Sequence, residues 1–130
     1  MDKKKNFIFY TEIFVACAMV ALMLWGAGYK LSYMKARAAG ETTAKNRAVL
    51  EGAIAVYRGY NEGRCPAALE DLLKDHLEAI PPSYSRGGAH KSARAVNAPS
   101  YEQGFDGQGG WVYVNNPADE DFCSVFTNIF

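Results

Sequence analysis

Apolar residues fill the chain without interruption from Phe7 to Tyr29, broken by a single charge at Glu12. A run of 23 such residues is long enough to cross a bilayer as a helix. Beyond it the pattern changes period. Leu50, Ala53, Ile54 and Tyr57 fall at i, i+3, i+4 and i+7, one apolar stripe on a helix whose other faces carry Lys45, Arg47, Glu51 and Arg58. No proline interrupts residues 30–60, so one helix is predicted from about Phe7 to Tyr60, roughly 80 Å long at 1.5 Å per residue. Gly26, Gly28 and Gly40 weaken it, and the small-residue patch at 26–28 also permits close helix–helix approach.

Asn61-Glu62-Gly63 ends this helix, with Gly63 suited to a left-handed cap. Pro66 then suits a first helical turn, and residues 66–78 read as a short helix with Leu69, Leu72, Leu73 and Leu77 on its buried face. Ile80-Pro81-Pro82 stops it. Residues 79–110, rich in Gly, Ser, Ala and Pro, read as a long loop. The β-branched and aromatic runs 111–114 and 122–126 flank a turn of Asn, Pro and acidic residues. They predict a C-terminal antiparallel hairpin within 111–130, with a third short strand near Tyr84 or Tyr101. A hairpin of this size needs a partner, and the amphipathic half of the long helix supplies one. The expected fold class is α+β: a long N-terminal helix, membrane half plus amphipathic half, packed on a small C-terminal antiparallel sheet. Two regions follow. Residues 1–30 are a basic segment and a transmembrane or assembly helix, and residues 31–130 are a soluble head.

Charge sharpens this picture. The net charge is zero, but residues 30–64 hold seven Lys or Arg against three Glu, whereas residues 101–130 hold five acids and no base. A basic stem and an acidic end suit self-association better than nucleic-acid binding. Lys3, Lys4 and Lys5 precede the apolar run as they would in a secretory signal. The run is longer than a signal's core and no small-residue cleavage site follows it, so it is expected to stay in the mature protein. Orientation draws on two opposed features. Lys30, Lys35, Arg37, Lys45 and Arg47 follow the span, which by the positive-inside rule favours a cytoplasmic head. Cys65 and Cys123 flank the soluble region, and a disulfide between them would staple it in an oxidising compartment; two buried thiols are the alternative. We read the N-terminus as inside and the head as outside. Cys17 serves as a small apolar residue of the span.

Candidate chemistry is sparse. His76 and His90 have no Cys or His at metal-ligand spacing, and His76 falls on the polar side of its helix. No nucleophile–base pair is evident, and Gly104, Gly107, Gly109 and Gly110 read as turns rather than a phosphate loop. Trp111, Tyr113, Phe122 and Phe126 read as core. The chain is therefore not expected to be an enzyme.

Several segments, taken in order, resemble type IV pilin-like proteins, most of all the pseudopilins of type II secretion. They are the short basic start, the apolar helix with its early Glu12, and the stretch from Tyr57 through Cys65-Pro66 to Leu72. Ile80-Pro81-Pro82 and Asp106-Gly107-Gln108-Gly109-Gly110-Trp111-Val112-Tyr113 with Asn116-Pro117 complete the set. The resemblance implies a structural subunit of a type IV pilus-like or pseudopilus filament. Such a subunit waits in the bacterial inner membrane as a single-pass protein, N-terminus cytoplasmic, with its head periplasmic or extracellular in the filament. Its implied partners are copies of itself through the N-terminal helices, other pilin-like subunits and inner-membrane assembly proteins. It also implies that Glu12 pairs with the amino terminus of a neighbour and sets register. Such a pairing avoids a large desolvation cost. Processing would fall near Phe7 and Ile8. A cut after Asn6 leaves Phe7 first and Glu12 sixth, and a cut after Phe7 leaves Ile8 first and Glu12 fifth. No Gly precedes the run, so an uncleaved, membrane-tethered, pilin-like binding module that does not polymerise is the alternative; Lys5 could then pair with Glu12. Relatives of this kind bind calcium in a C-terminal loop. Asp106 to Gln108 and Asn116, Asp119, Glu120 and Asp121 offer oxygen ligands here, but without the spacing of a calcium loop. A solvated acidic turn and no cofactor are expected.

Overall fold

The computed structural model describes residues 2–129; Met1 and Phe130, the outer ends of the two predicted regions, lie outside the described residues. One helix, α1, runs from Asp2 to Tyr60. Five short strands and a helical turn follow: β1 (Ser83–Tyr84), β2 (Lys91–Ser92), β3 (Ala95–Ala98), α2 (Tyr101–Gly104), β4 (Trp111–Val114) and β5 (Val125–Thr127). The protein is thus α+β, with one long N-terminal helix and small C-terminal sheets. It divides into two compact units between Met34 and Lys35.

The first unit is helix alone. Its large apolar side chains are exposed all round, from Ile13 at 46 % to Trp25 at 79 %. A helix that is hydrophobic on every face belongs in lipid or inside an assembly rather than in water. This one is long and apolar enough to span a membrane.

The second unit has a core. Leu50, Ala53 and Ile54 of α1 pack with Leu69, Leu72, Trp111, Tyr113 and Val125, and Tyr57 and Leu77 close its edge. The predicted stripe on α1 is therefore the buried one. The helix ends in a Schellman-type cap: the Gly63 N–H donates to the Arg58 carbonyl at 2.8 Å. Glu62 (φ 56°) occupies the left-handed position usually left to glycine, and Gly63 follows with φ 82°.

Three predicted elements differ from the structure. The helix expected over 66–78 shrinks to a 3₁₀ turn, Leu69–Leu73. At three residues per turn Leu69 and Leu72 eclipse and are both fully buried, while Leu73 swings out to 39 % exposure. Side chains from the sheet fix this geometry. Asn97 Oδ1 accepts the Leu69 N–H at 2.9 Å, and the Tyr113 hydroxyl donates to the Pro66 carbonyl at 2.7 Å. The loop expected over 79–110 contains β1, β2, β3 and α2. Strands of two to four residues carry too little alternation to stand out in a sequence.

The third correction concerns the sheet, which is mixed rather than antiparallel. Its strand order is β3-β4-β5, β3 running parallel to β4 and β5 antiparallel to it. Residues 99–110 form the crossover between the parallel pair, about the dozen residues such a connection needs. The third strand is Ala95–Ala98. Tyr84 lies instead in a separate two-stranded sheet, and Tyr101 opens α2, capped by the Ser100 hydroxyl. Because α2 covers the far side of β4, all four of its residues are buried. Gly104 is the point of contact, where an added Cβ would meet the Ala98 methyl at 2.9 Å. The expected C-terminal hairpin forms, with its second strand starting at Val125; Phe122 and Cys123 belong to the turn.

Candidate functional site

In the first unit, Glu12 and the segment before it occupy successive turns of one helix. Ile8 and Glu12 stand four residues apart and share a face. The Thr11 hydroxyl donates to the Ile8 carbonyl at 2.7 Å and to the Phe7 carbonyl at 3.2 Å, so it is spent on its own helix. Val15, Ala16 and Met19 border Glu12, and among the described residues no cation pairs with it. The helix thus presents a lone carboxylate on an apolar surface.

In the second unit, Cys65 and Cys123 form a disulfide with Cα atoms 5.8 Å apart, closing 58 residues of chain. In the chain-entropy model that closure stabilises the fold by about 4 kcal/mol. The bond ties the segment after α1 to the β4–β5 turn. Cys123 takes φ 71°, an unusual value for a residue with a side chain, and its N–H is held by the Val114 carbonyl at 2.9 Å. Beside it the Tyr113 ring is buried and its phenol is pushed up to about 12, chiefly by loss of hydration.

An open groove of about 1040 Å³ lies between the end of α1 and the 3₁₀ turn, lined among others by Val49, Val56, Tyr60, Lys74 and Asp75. His76 was expected on a polar face. It stands instead edge-on to Tyr57, with ring centroids 5.7 Å apart, and stacks on Tyr60 at 5.9 Å. Sequence spacing hid this cluster, because Tyr60 and His76 belong to different elements. A histidine sixteen residues from an exposed helical tyrosine gives no periodic signal.

Two carboxylates of the C-terminal region, Asp106 and Asp119, are engaged locally. Asp106 accepts from Arg94 at 2.7 Å, from the Gln108 N–H at 3.0 Å and from Asn128 at 2.8 Å. These bonds, that of Arg94 foremost, hold its carboxyl below the usual carboxylate range. Asp119 accepts the Asp121 N–H at 2.9 Å, and Asn116 accepts the Ala118 N–H at 3.1 Å, as turn-forming side chains do. Among the described residues no three His, Cys, Asp or Glu side chains gather as metal ligands.

The structure therefore assembles two features, an apolar helix bearing Glu12 and a small disulfide-closed head. Compared with protein families, with curated proteins and with solved structures, the chain gives no match.

Proposed function

We propose that the chain is a structural subunit of a type IV pilus-like or type II secretion pseudopilus filament. Before assembly it sits in the inner membrane through residues 7–29, N-terminus cytoplasmic and head periplasmic. The observation that carries this reading is the exposed apolar half of α1 with Glu12, a carboxylate that has no cation partner among the described residues, within its apolar run. Such a surface gains most by packing against identical helices, where a neighbour's positive terminus neutralises Glu12 and fixes register. The Cys65–Cys123 disulfide supports an oxidising compartment for the head.

Glu12→Gln tests the reading. Filament formation, or cross-linking between the Glu12 region and a neighbour's N-terminus, should be lost. Assembly at the wild-type level would remove the register role. Intact mass adds a second arm: loss of the first six or seven residues together with gain of one methyl group, the N-methylation that the pilin resemblance implies for the new terminus, fits a processed subunit. An uncut chain fits the second reading, a membrane-tethered pilin-like binding module that does not polymerise, which the absence of Gly before Phe7 favours.

A further inference from the structure

The residues after the apolar run are basic, and the fold adds a second basic group from fifty positions away. The β1–β2 hairpin turns through residues 85–90, and its tip lies against α1. A Cβ added at Gly88 would stand 3.1 Å from the Ala39 methyl and 3.3 Å from the Lys35 carbonyl. Two hydrogen bonds rivet the hairpin there. The Tyr84 N–H donates to the Thr43 hydroxyl at 3.0 Å, and the Asn46 amide donates to the Pro82 carbonyl at 2.7 Å. Arg86 borders a shallow hollow with Ala36 and Gly40. Arg86 is thus held beside the Lys35–Gly40 stretch of α1, with His90 and Lys91 on the same hairpin, and all three are exposed.

Little opposes this charge. Residues 83–94 contain no Asp or Glu, and residues 30–47 contain only Glu41, which Arg37 occupies at 3.1 Å. Arg94 is taken by Asp106, and Arg47 by Glu51 and the Phe126 ring. Lys35, Lys45, Arg86 and Lys91 have no carboxylate partner among the described residues.

We propose that this composite basic face docks on the anionic phosphate headgroups of the bilayer that the apolar run enters; the proposal rests on residues 7–29 spanning that bilayer. Covalent reach favours this occupant. Six positions separate Tyr29 from Lys35, and at the 1.5 Å rise per residue of α1 they put Lys35 about 9 Å along the helix from the end of the run. A charge acts across only about 8 Å at physiological salt, so a basic face gains from headgroups only if it is tethered near them, as this one is. Anionic lipid occurs on either side of a bacterial membrane, so the docking does not depend on orientation. The competing occupant is the Asp119–Asp121 turn of a second copy. That turn follows the end of β4, whereas Ser83 of the hairpin bonds Gly110 just before its start. Contact between copies would therefore be head to tail and would depend on their density.

The full chain, reconstituted into vesicles of phosphatidylcholine alone or with roughly a third phosphatidylglycerol, tests this by trypsin cleavage after Arg86 and Lys91. Cleavage should be about tenfold slower with phosphatidylglycerol, and roughly 0.5 M salt should restore it. Lys35→Gln with Lys45→Gln should speed cleavage in the anionic vesicles. Equal rates in the two lipids overturn the docking, and so does protection that the double variant leaves unchanged. Protection that appears in phosphatidylcholine and grows with protein density assigns the face to a second copy and also overturns it. Alkaline carbonate extraction distinguishes a failed span from failed docking. A chain stripped from the vesicles overturns the span and the docking with it, whereas a chain retained but unprotected overturns the docking alone.

Discussion

The two halves of α1 treat hydrophobic residues in opposite ways. Leu24 in the first half is 69 % exposed, and Leu50 in the second is fully buried, although both are leucines in the interior of one helix. The second half has fewer apolar residues and buries Leu50, Ala53 and Ile54, because they fall on one stripe that meets Leu69, Leu72, Trp111 and Tyr113, while Val49, Val56 and Tyr60 off the stripe stay exposed. The first half is apolar on every face, and its large apolar side chains are exposed. A stripe selects a partner from its own fold, whereas an all-round apolar surface calls for lipid or for other copies of itself. Glu12 marks the difference, since a carboxylate on such a surface draws its partner from outside the chain.

Substitutions in the two halves should differ in their effect on the stability of the head, measured by urea unfolding of the detergent-solubilised full chain. Gly110→Ala should cost most, about 4 kcal/mol or more, since its Cβ would collide with the Arg94 carbonyl where β3 and β4 approach, at φ 86°. Replacing Cys65 and Cys123 by Ser together should cost about 4 kcal/mol, and reducing the wild type should cost the same. Leu50→Ala should cost about 3 kcal/mol, whereas Leu24→Ala should leave the head within about 0.5 kcal/mol of wild type. Equal costs for those two leucines would erase the contrast.

A smaller effect appears only at high pH. The Tyr113 phenol is raised in the fold from the ordinary 10 to about 12. The unfolded chain therefore releases this proton first, and stability is full below pH 10 and falls as pH rises toward 12. The two-unit shift corresponds to about 2–3 kcal/mol. Tyr113→Phe should remove that slope at the cost of the Pro66 hydrogen bond. Asp106 works with the opposite sign. Its lowered value stabilises the fold above the ordinary carboxylate range, and that contribution is lost as pH falls through the lowered value. The smallest effect should come from Arg37→Ala, under about 0.5 kcal/mol in roughly 0.15 M salt, because its pair with Glu41 is exposed.

How much was legible varied with the length of the pattern. The long helix, its stripe at Leu50, Ala53, Ile54 and Tyr57, and its end at Tyr60 were written in periodicity and in the Asn61–Gly63 cap residues, which act locally. The WVYV strand was legible as well, since four consecutive β-formers leave few alternatives. The helix over 66–78 was misread because its leucines also fit a 3₁₀ turn. The choice fell to Asn97 and Tyr113, which reach it from 28 and 47 residues away. The parallel placement of Ala95–Ala98 was invisible for the same reason: AVNA has no direction until its neighbour is in place. Of the site, Glu12 stood out at once as a charge in an apolar run, while the His76–Tyr60 stack depended on a turn that periodicity had drawn as a helix.

The apolar span, the lone carboxylate within it and the amphipathic continuation follow from residue order alone, because helix periodicity and the cost of burying charge are local properties of adjacent residues. Packing of the whole head settled that the sheet is mixed and that Cys65 meets Cys123. It also decided that the hairpin carrying Arg86 and Lys91 lies beside Lys35. Each of these joins residues dozens of positions apart, and such contacts follow from how the whole core packs rather than from any local pattern.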